Sequence, residues 1–399
     1  MNRFATLDRR QLLRAGAGLA GGTLLACVTG SGSRPSSSPT IAAETAARWN
    51  SDRRFADTAA GRIAYVERGS GPPALFIHGF PLNGFQWRDV IARLQSTRRC
   101  LAPDLLGLGF TEVAPGHPVV PGDQVEMLVT LLDQRSMPVV DVVANDSGGA
   151  VAQLLLARHP ERVRSILLTN CDVETECPPA AVLPVIEMAK AGTYVERWLA
   201  PWLADHELAR SRDGLGGMTF SDPAHPTDEA LEMYLGPLVR TARGQAQVNA
   251  YAIGLEANAL AGSEPLLRRS HVAARIVWGT ADTIFSAENP VYLDRVLPGS
   301  RGVRNVPGAR LFFPEEFPDL IAEEARTLWA ASPSCAAVRV SRAGRERAGT
   351  IPGISARASA TPPRRGAPPA PAPSIRSGGS PRAPCRCRRG RIRRRAPGP

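Results

Sequence analysis

The sequence predicts an α/β fold: a mostly parallel central sheet with helices on both faces and one helical insertion. Three observations predict it. From about residue 52, apolar β-branched runs alternate with helix-forming runs, the pattern of a parallel sheet whose crossovers are helices. One strand–helix junction, at 138–158, is built around two adjacent glycines, Gly148 and Gly149. Between residues 173 and 268 the strand pattern stops and only helical runs remain.

Taken in order, residues 55–68 read as an opening hairpin and 73–77 (PALFI) as a buried strand broken by His78-Gly79. A helix is expected over 86–94, a strand over 99–104 and a glycine-bearing loop over 105–109. A helix over 121–132 leads to the strand starting at Pro138, and a strand over 163–170 closes the first half. In the insertion, helices are expected over 181–191, 194–203, 228–235 and 244–255. The strand 273–279 (AARIVWG) resumes the sheet.

The junction at 142–150 (VVANDSGGA) organises the rest. Strand end and helix start nearly touch in such a turn, so its flanking residues must be small, and the tip residue is pushed out of the sheet with its side chain exposed. This is the geometry of a nucleophile elbow. Two registers fit. With Asp146 at the tip, Ala144, Gly148 and Gly149 fall at the constrained positions. With Ser147 at the tip, Asn145 must occupy a tight one. The spacing favours Asp146. A plain strand–helix turn with an aspartate cap is the structural alternative.

The net charge of +11 is unevenly distributed. Residues 331–399 hold 16 Arg and one Glu, and the rest of the chain is mildly acidic. No nucleic-acid-binding motif accompanies the basic stretch, which excludes a sequence-specific nucleic-acid partner. Residues 332–399, rich in Arg, Pro, Ala, Gly and Ser, lack the apolar periodicity to bury a core and read as a disordered tail.

Residues 1–30 read as an export signal. Arg9-Arg10 precede a short, weakly apolar run, which resembles a twin-arginine signal. That run ends at Leu24-Leu25-Ala26-Cys27, which resembles a lipobox. Cys27 is therefore a candidate lipidation site and a lipid anchor a candidate membrane contact. A simple signal with Cys27 incidental fits equally well. Residues 31–51 are expected to be a linker. The expected location is across the cytoplasmic membrane, on its periplasmic or extracellular face, with a lipid anchor as one alternative. Cys171 and Cys177 are close enough in sequence to bridge in an oxidising compartment, though no spacing demands it. No Cys/His cluster has metal spacing and no cofactor motif is present, so neither metal nor cofactor is expected.

HGFP at 78–81, APDLLGLG at 102–109, NDSGGA at 145–150 and HPERV at 159–163 resemble the α/β-hydrolase superfamily. Within it they resemble the branch with an aspartate nucleophile, the haloalkane dehalogenases and epoxide hydrolases. The likeness covers about residues 52–331. It implies a core at 52–172 and 269–331, a cap at 173–268, and a small-molecule substrate. It also implies a nucleophile at Asp146, backbone N–H donors of Phe80 and Ser147 forming an oxyanion hole, and an acid at Asp282, with Asp172 as alternative. An aspartate nucleophile suits epoxide opening or halide departure, and gives an alkyl ester that a histidine-activated water must hydrolyse. Where the family carries that histidine, this sequence has Leu311, or Arg310. Neither is a base near neutral pH. All six histidines (78, 117, 159, 206, 225 and 271) lie earlier. His78 reads as a structural residue and His117 as a weak candidate for approach to the site. The halide-binding Trp after the nucleophile and Asn in the HGxP loop are replaced by Ser147 and Phe80. The Phe form is closer to epoxide hydrolases, in which cap tyrosines protonate the epoxide oxygen; Tyr194, Tyr234 and Tyr251 are the candidates. An impaired hydrolase, a non-catalytic ligand-binding member and a Ser147 esterase all remain open at this point.

Overall fold

The computed structural model describes residues 44–330. The export signal, Cys27, most of the expected linker and the Arg-rich tail lie outside the described residues.

Within them one sheet runs through the molecule. Its strands are β1 (Arg53–Thr58), β2 (Gly61–Arg68), β3 (Pro73–Ile77), β4 (Arg99–Pro103), β5 (Glu112–Val113), β6 (Val140–Asp146), β7 (Val163–Cys171), β8 (Ala273–Gly279) and β9 (Ser300–Val306). Their spatial order is β1-β2-β4-β3-β6-β7-β8-β9, with the short β5 paired to β2. The opening hairpin is antiparallel, and every pairing from β4 through β9 is parallel. Strand β3 sits where the order reverses, with β4 on one side and β6 on the other. A crevice opens beyond the carboxyl ends of strands at such a switch point, and the loops carrying Phe80 and Asp146 leave β3 and β6 there.

The core helices are α1 (Ala46–Asp52), α2 (Arg88–Leu94), α3 (Pro121–Gln134) and α4 (Ser147–Arg158). Helix α4 is buried along its whole first ten residues and on every face, because β6, β7 and α3 surround it. Its buried stretch is mostly apolar, small at Gly148–Ala150, and its one buried amide, Gln153, donates to the Gly149 and Asp172 carbonyls, as such a position requires.

The insertion between β7 and β8 is helical, as expected. It holds α5 (Leu183–Lys190), α6 (Ala200–Ala204), α7 (His206–Arg210), α8 (Leu215–Thr219), α9 (Asp228–Val239), α10 (Ala242–Gly254) and α11 (Glu264–Leu267). The helix expected over 194–203 is interrupted: Val195–Leu199 form a π-turn ahead of α6. After β8 come α12 (Asn289–Val296), α13 (Phe313–Glu316) and α14 (Pro318–Ala330).

The expected linker over 31–51 needs one correction. Its last residues enter α1, whose N-terminus is capped by the Thr45 hydroxyl. Trp49 is buried and packs edge-on against Phe85 at 5.8 Å. Glu44 and Asp52 both pair with Arg68. The Ala46 N–H reaches Glu229 of α9 at 2.7 Å, tying the start of the core to the insertion. A seven-residue helix with one buried aromatic leaves no period to read in the sequence.

Candidate active site

Asp146 ends β6 with φ 56° and ψ −137°, and Ser147 begins α4. The register is thereby settled: Asp146 is the residue at the crest of the turn. A non-glycine residue in this region costs about 1–3 kcal/mol and persists only where the surroundings over-determine it. They do so here by close approach. A Cβ at Gly149 would lie 2.3 Å from Cys171 Cβ, and one at Gly79 would lie 2.6 Å from Asp146 Cβ. The crest is held between two backbones with no room for a side chain on either.

The Phe80 N–H donates to Asp146 Oδ2 at 2.9 Å, and the Ser147 N–H also bonds the carboxylate. These are the two donors anticipated for an oxyanion hole. Burial nonetheless dominates and, helped by the nearby Asp282, raises the Asp146 pKa to about 7. The two N–H bonds oppose that shift without cancelling it. A carboxylate fully ionised at neutrality, as an aspartate ordinarily is, is therefore not what this site holds.

His78 is structural. The Leu105 N–H donates to its Nε2 at 2.9 Å, so the proton sits on Nδ1, which donates to the Gly79 carbonyl at 2.8 Å. Complete burial lowers its pKa to about 4 and keeps the ring neutral. It shapes the loop that presents Phe80 and exchanges no proton with Asp146.

The predicted acids separate. Asp282 follows β8 and is fixed by Asn170 Nδ2 on Oδ2 at 2.8 Å and by the Ile284 N–H on Oδ1 at 2.9 Å. Burial raises its pKa against these bonds. Asp172 follows β7, is buried, and has its carboxyl against the Cys177 thiol; burial and the Asp146 charge push its pKa far up. Cys171 and Cys177 are free thiols.

A cavity of about 180 Å³ lies above Asp146, lined among others by Phe80, Tyr194, Trp198, Trp202 and Leu311. Leu311 thus stands beside Asp146 where a histidine was sought. Arg310 is turned away, its guanidinium bonded to the Gly217 carbonyl. None of the six histidines lines this cavity. His117 stays in its loop, and His206 and His225 face Asp228 and Glu315.

The three candidate tyrosines divide two to one. Phe80 lies between Tyr251, stacked at 5.3 Å, and Tyr194 at 5.9 Å. The Tyr194 hydroxyl has no hydrogen-bond partner among the described residues. The Tyr251 hydroxyl pairs with Ser147 Oγ at 2.9 Å. Burial, with Asp146 nearby, raises both phenol pKa values, so both stay protonated. Tyr234 is the correction. Its hydroxyl donates to Glu315 at 2.6 Å and receives Arg88 at 3.2 Å, in a buried polar cluster away from the cavity. Helical spacing alone could not separate α9, which packs on the core, from α10, which faces Asp146. Trp198 and Trp202 line the cavity.

This geometry agrees with what the chain resembles. The α/β hydrolase fold family model matches residues 72–317, more than half of the chain. The chain belongs to the α/β hydrolase fold family. Haloalkane dehalogenase 2 of Mycobacterium tuberculosis is 33% identical over 119 residues, 30% of this hydrolase-fold chain and 42% of that protein. Bifunctional epoxide hydrolase 2 of Mus musculus is 26% identical over 271 residues, 59% of this chain and 48% of that protein. The matches therefore span less than half of each relative's length. The crystal structure of an α/β hydrolase fold protein from Burkholderia ambifaria superposes with a TM-score of 0.59 at 25% identity, over 68% of this chain and 96% of that one. The chain is thus related, at low identity, to haloalkane dehalogenases and epoxide hydrolases.

Proposed function

We propose that this α/β hydrolase opens small apolar epoxides through attack by Asp146, and that hydrolysis of the resulting ester is slow. The observation that carries the proposal is the Asp146 carboxylate at the elbow crest, held by the Phe80 N–H and facing a cavity that contains the unpartnered Tyr194 hydroxyl. The carboxylate oxygen not engaged by the Phe80 N–H attacks an epoxide carbon. The C–O bond breaks, its electron pair goes to the ring oxygen, and that oxygen takes a proton from Tyr194 or Tyr251. The product is a hydroxyalkyl ester on Asp146, and the tyrosine recovers its proton from water.

Epoxide opening is preferred over halide departure for a stated reason. A departing halide needs donors beside it, and the position after Asp146 is Ser147, whose hydroxyl is already paired with Tyr251. A Ser147 nucleophile lacks support, because serine needs a neighbouring base to attack and the partner of Ser147 is a protonated phenol. The second step has no imidazole to activate water, since Leu311 occupies that side of the cavity.

The test is to incubate the purified protein with a reactive terminal epoxide and weigh it intact. A stoichiometric mass increase mapping to Asp146, absent in Asp146→Asn, is the expected result. Absence of any adduct or turnover across epoxides and alkyl halides would make this a ligand-binding member of the fold.

A further inference from the structure

The cavity above Asp146 has a size and a lining that specify more than an apolar electrophile. Its volume is about 180 Å³. A cavity of ~150 Å³ holds one benzene ring, so the space is of the size for one aromatic ring with a short arm and not for two rings. Among the described residues Asp146 is the one charged side chain in the lining, so an anionic substrate would find no counter-charge.

The aromatic residues form a row. Phe80 and Tyr194 lie 5.9 Å apart, Tyr194 and Trp198 6.1 Å, and Trp198 and Trp202 5.3 Å. The row starts at the backbone donor that holds Asp146 and runs outward along the cap. Residues 194, 198 and 202 are four apart, and in a regular α-helix each such step drifts by about 40° around the axis. The π-turn at Val195–Leu199 falls inside the row. A wider turn rotates less per residue and offsets that drift, so all three rings face one cavity. π-turns recur at functional sites, and this one has an evident use.

We infer that this site selects monosubstituted aryl epoxides with a single ring, with Trp198 and Trp202 as the specificity-determining residues. The aryl ring lies against the two indoles, and the unsubstituted epoxide carbon, the less crowded one, is presented to Asp146. Aromatic contacts of this kind favour edge or offset geometry, which the tilted indoles provide at 40° to each other. The inference rests on the epoxide-opening reading above.

The experiment measures the rate of Asp146 labelling by intact mass with three probes: 1,2-epoxybutane, styrene oxide and trans-stilbene oxide. Each rate is divided by that epoxide's rate with free acetate, which removes intrinsic reactivity. Styrene oxide is expected to label about tenfold faster than epoxybutane on this scale, and stilbene oxide not to label. Trp202→Ala should lose the styrene oxide preference and admit stilbene oxide. Trp198→Ala is the second variant should that one misfold, and Trp202→Phe should keep the preference. Equal normalised rates for epoxybutane and styrene oxide, or labelling of the parent protein by stilbene oxide, overturn the inference while leaving epoxide opening intact. No labelling of Asp146 by any probe overturns both.

Discussion

Asn170 Nδ2 lies 2.8 Å from Asp282 Oδ2, and the same amide clasps Gly279 through its N–H at 2.7 Å and its carbonyl at 3.0 Å. The acid after β8 is thus fixed in place by β7 although no imidazole bonds it. On the proposed reading, this is support for a base, and no histidine lines the cavity among the described residues. Leu311→His should supply it, because Leu311 borders the same cavity as Asp146. The expected outcome is a change from stoichiometric alkylation to sustained diol release, with ester hydrolysis faster by about 10²–10⁴-fold, the usual worth of a positioned general base. Diol formation followed alongside the intact-mass adduct checks it; an adduct equally persistent in the variant counts against Asp282 as the base's partner.

The raised Asp146 pKa gives the alkylation a pH dependence with a fixed sign. Only the carboxylate attacks, and burial places its pKa at about 7. Labelling by an epoxide should climb as pH rises from 5, reach half its maximum near 7, and level off above 8. The rate of adduct formation measured between pH 5 and 9 reads this directly. His78 will not confuse the profile, since its pKa lies at about 4.

The same shift has a thermodynamic consequence. Asp146 binds its proton more tightly folded than unfolded, so the folded state holds more protons between about pH 4 and 7. Stability contributed by the neutral form is complete below the unfolded pKa and is lost as pH rises through the folded one. Asp146→Asn cannot ionise and keeps an acceptor for the Phe80 N–H. It should therefore be more stable than the parent at pH 8, by about 2–4 kcal/mol, with the difference closing by about pH 4. Urea unfolding at both pH values measures it.

Much of this arrangement was legible in the sequence, and the reasons are local. The elbow could be placed because a sharp strand–helix turn restricts its own neighbours, and with Asp146 at the tip Ala144, Gly148 and Gly149 fall at every restricted position, whereas the Ser147 register puts Asn145 at a tight one. Strands β3 and β8 could be placed to the residue because both are short apolar runs bounded by turn residues. That no histidine stands at 310–311 could be seen because it is read directly from the residues there, Arg310 and Leu311. Other features were hidden. The sorting of Tyr234 from Tyr251 depends on which side of the cap each helix packs, and that depends on contacts with α13 and the core that are distant in sequence. The π-turn at Val195–Leu199 leaves no mark in a pattern read at 3.6 residues per turn. The Asp146 pKa is set by burial, which no short motif encodes.

Epoxides and alkyl halides make different demands on Tyr194 and Tyr251, and that difference tests the tyrosines' role. An opening epoxide generates an alkoxide that must be protonated in place, whereas a halide leaves as a stable anion. Removing the hydroxyls should therefore slow epoxide attack and spare halide displacement. Tyr194→Phe leaves ring packing against Phe80 intact and removes only the unpartnered hydroxyl. Tyr251→Phe also breaks the bond to Ser147 Oγ, at a stability cost of about 1 kcal/mol. The double variant is expected to label Asp146 with an epoxide about 10²-fold more slowly, and with a small alkyl bromide at close to the parent rate. Paired labelling rates by intact mass give the ratio. A matched fall for both electrophiles would mean that the two rings only shape the cavity, and the proton for the opening epoxide would have to come from solvent.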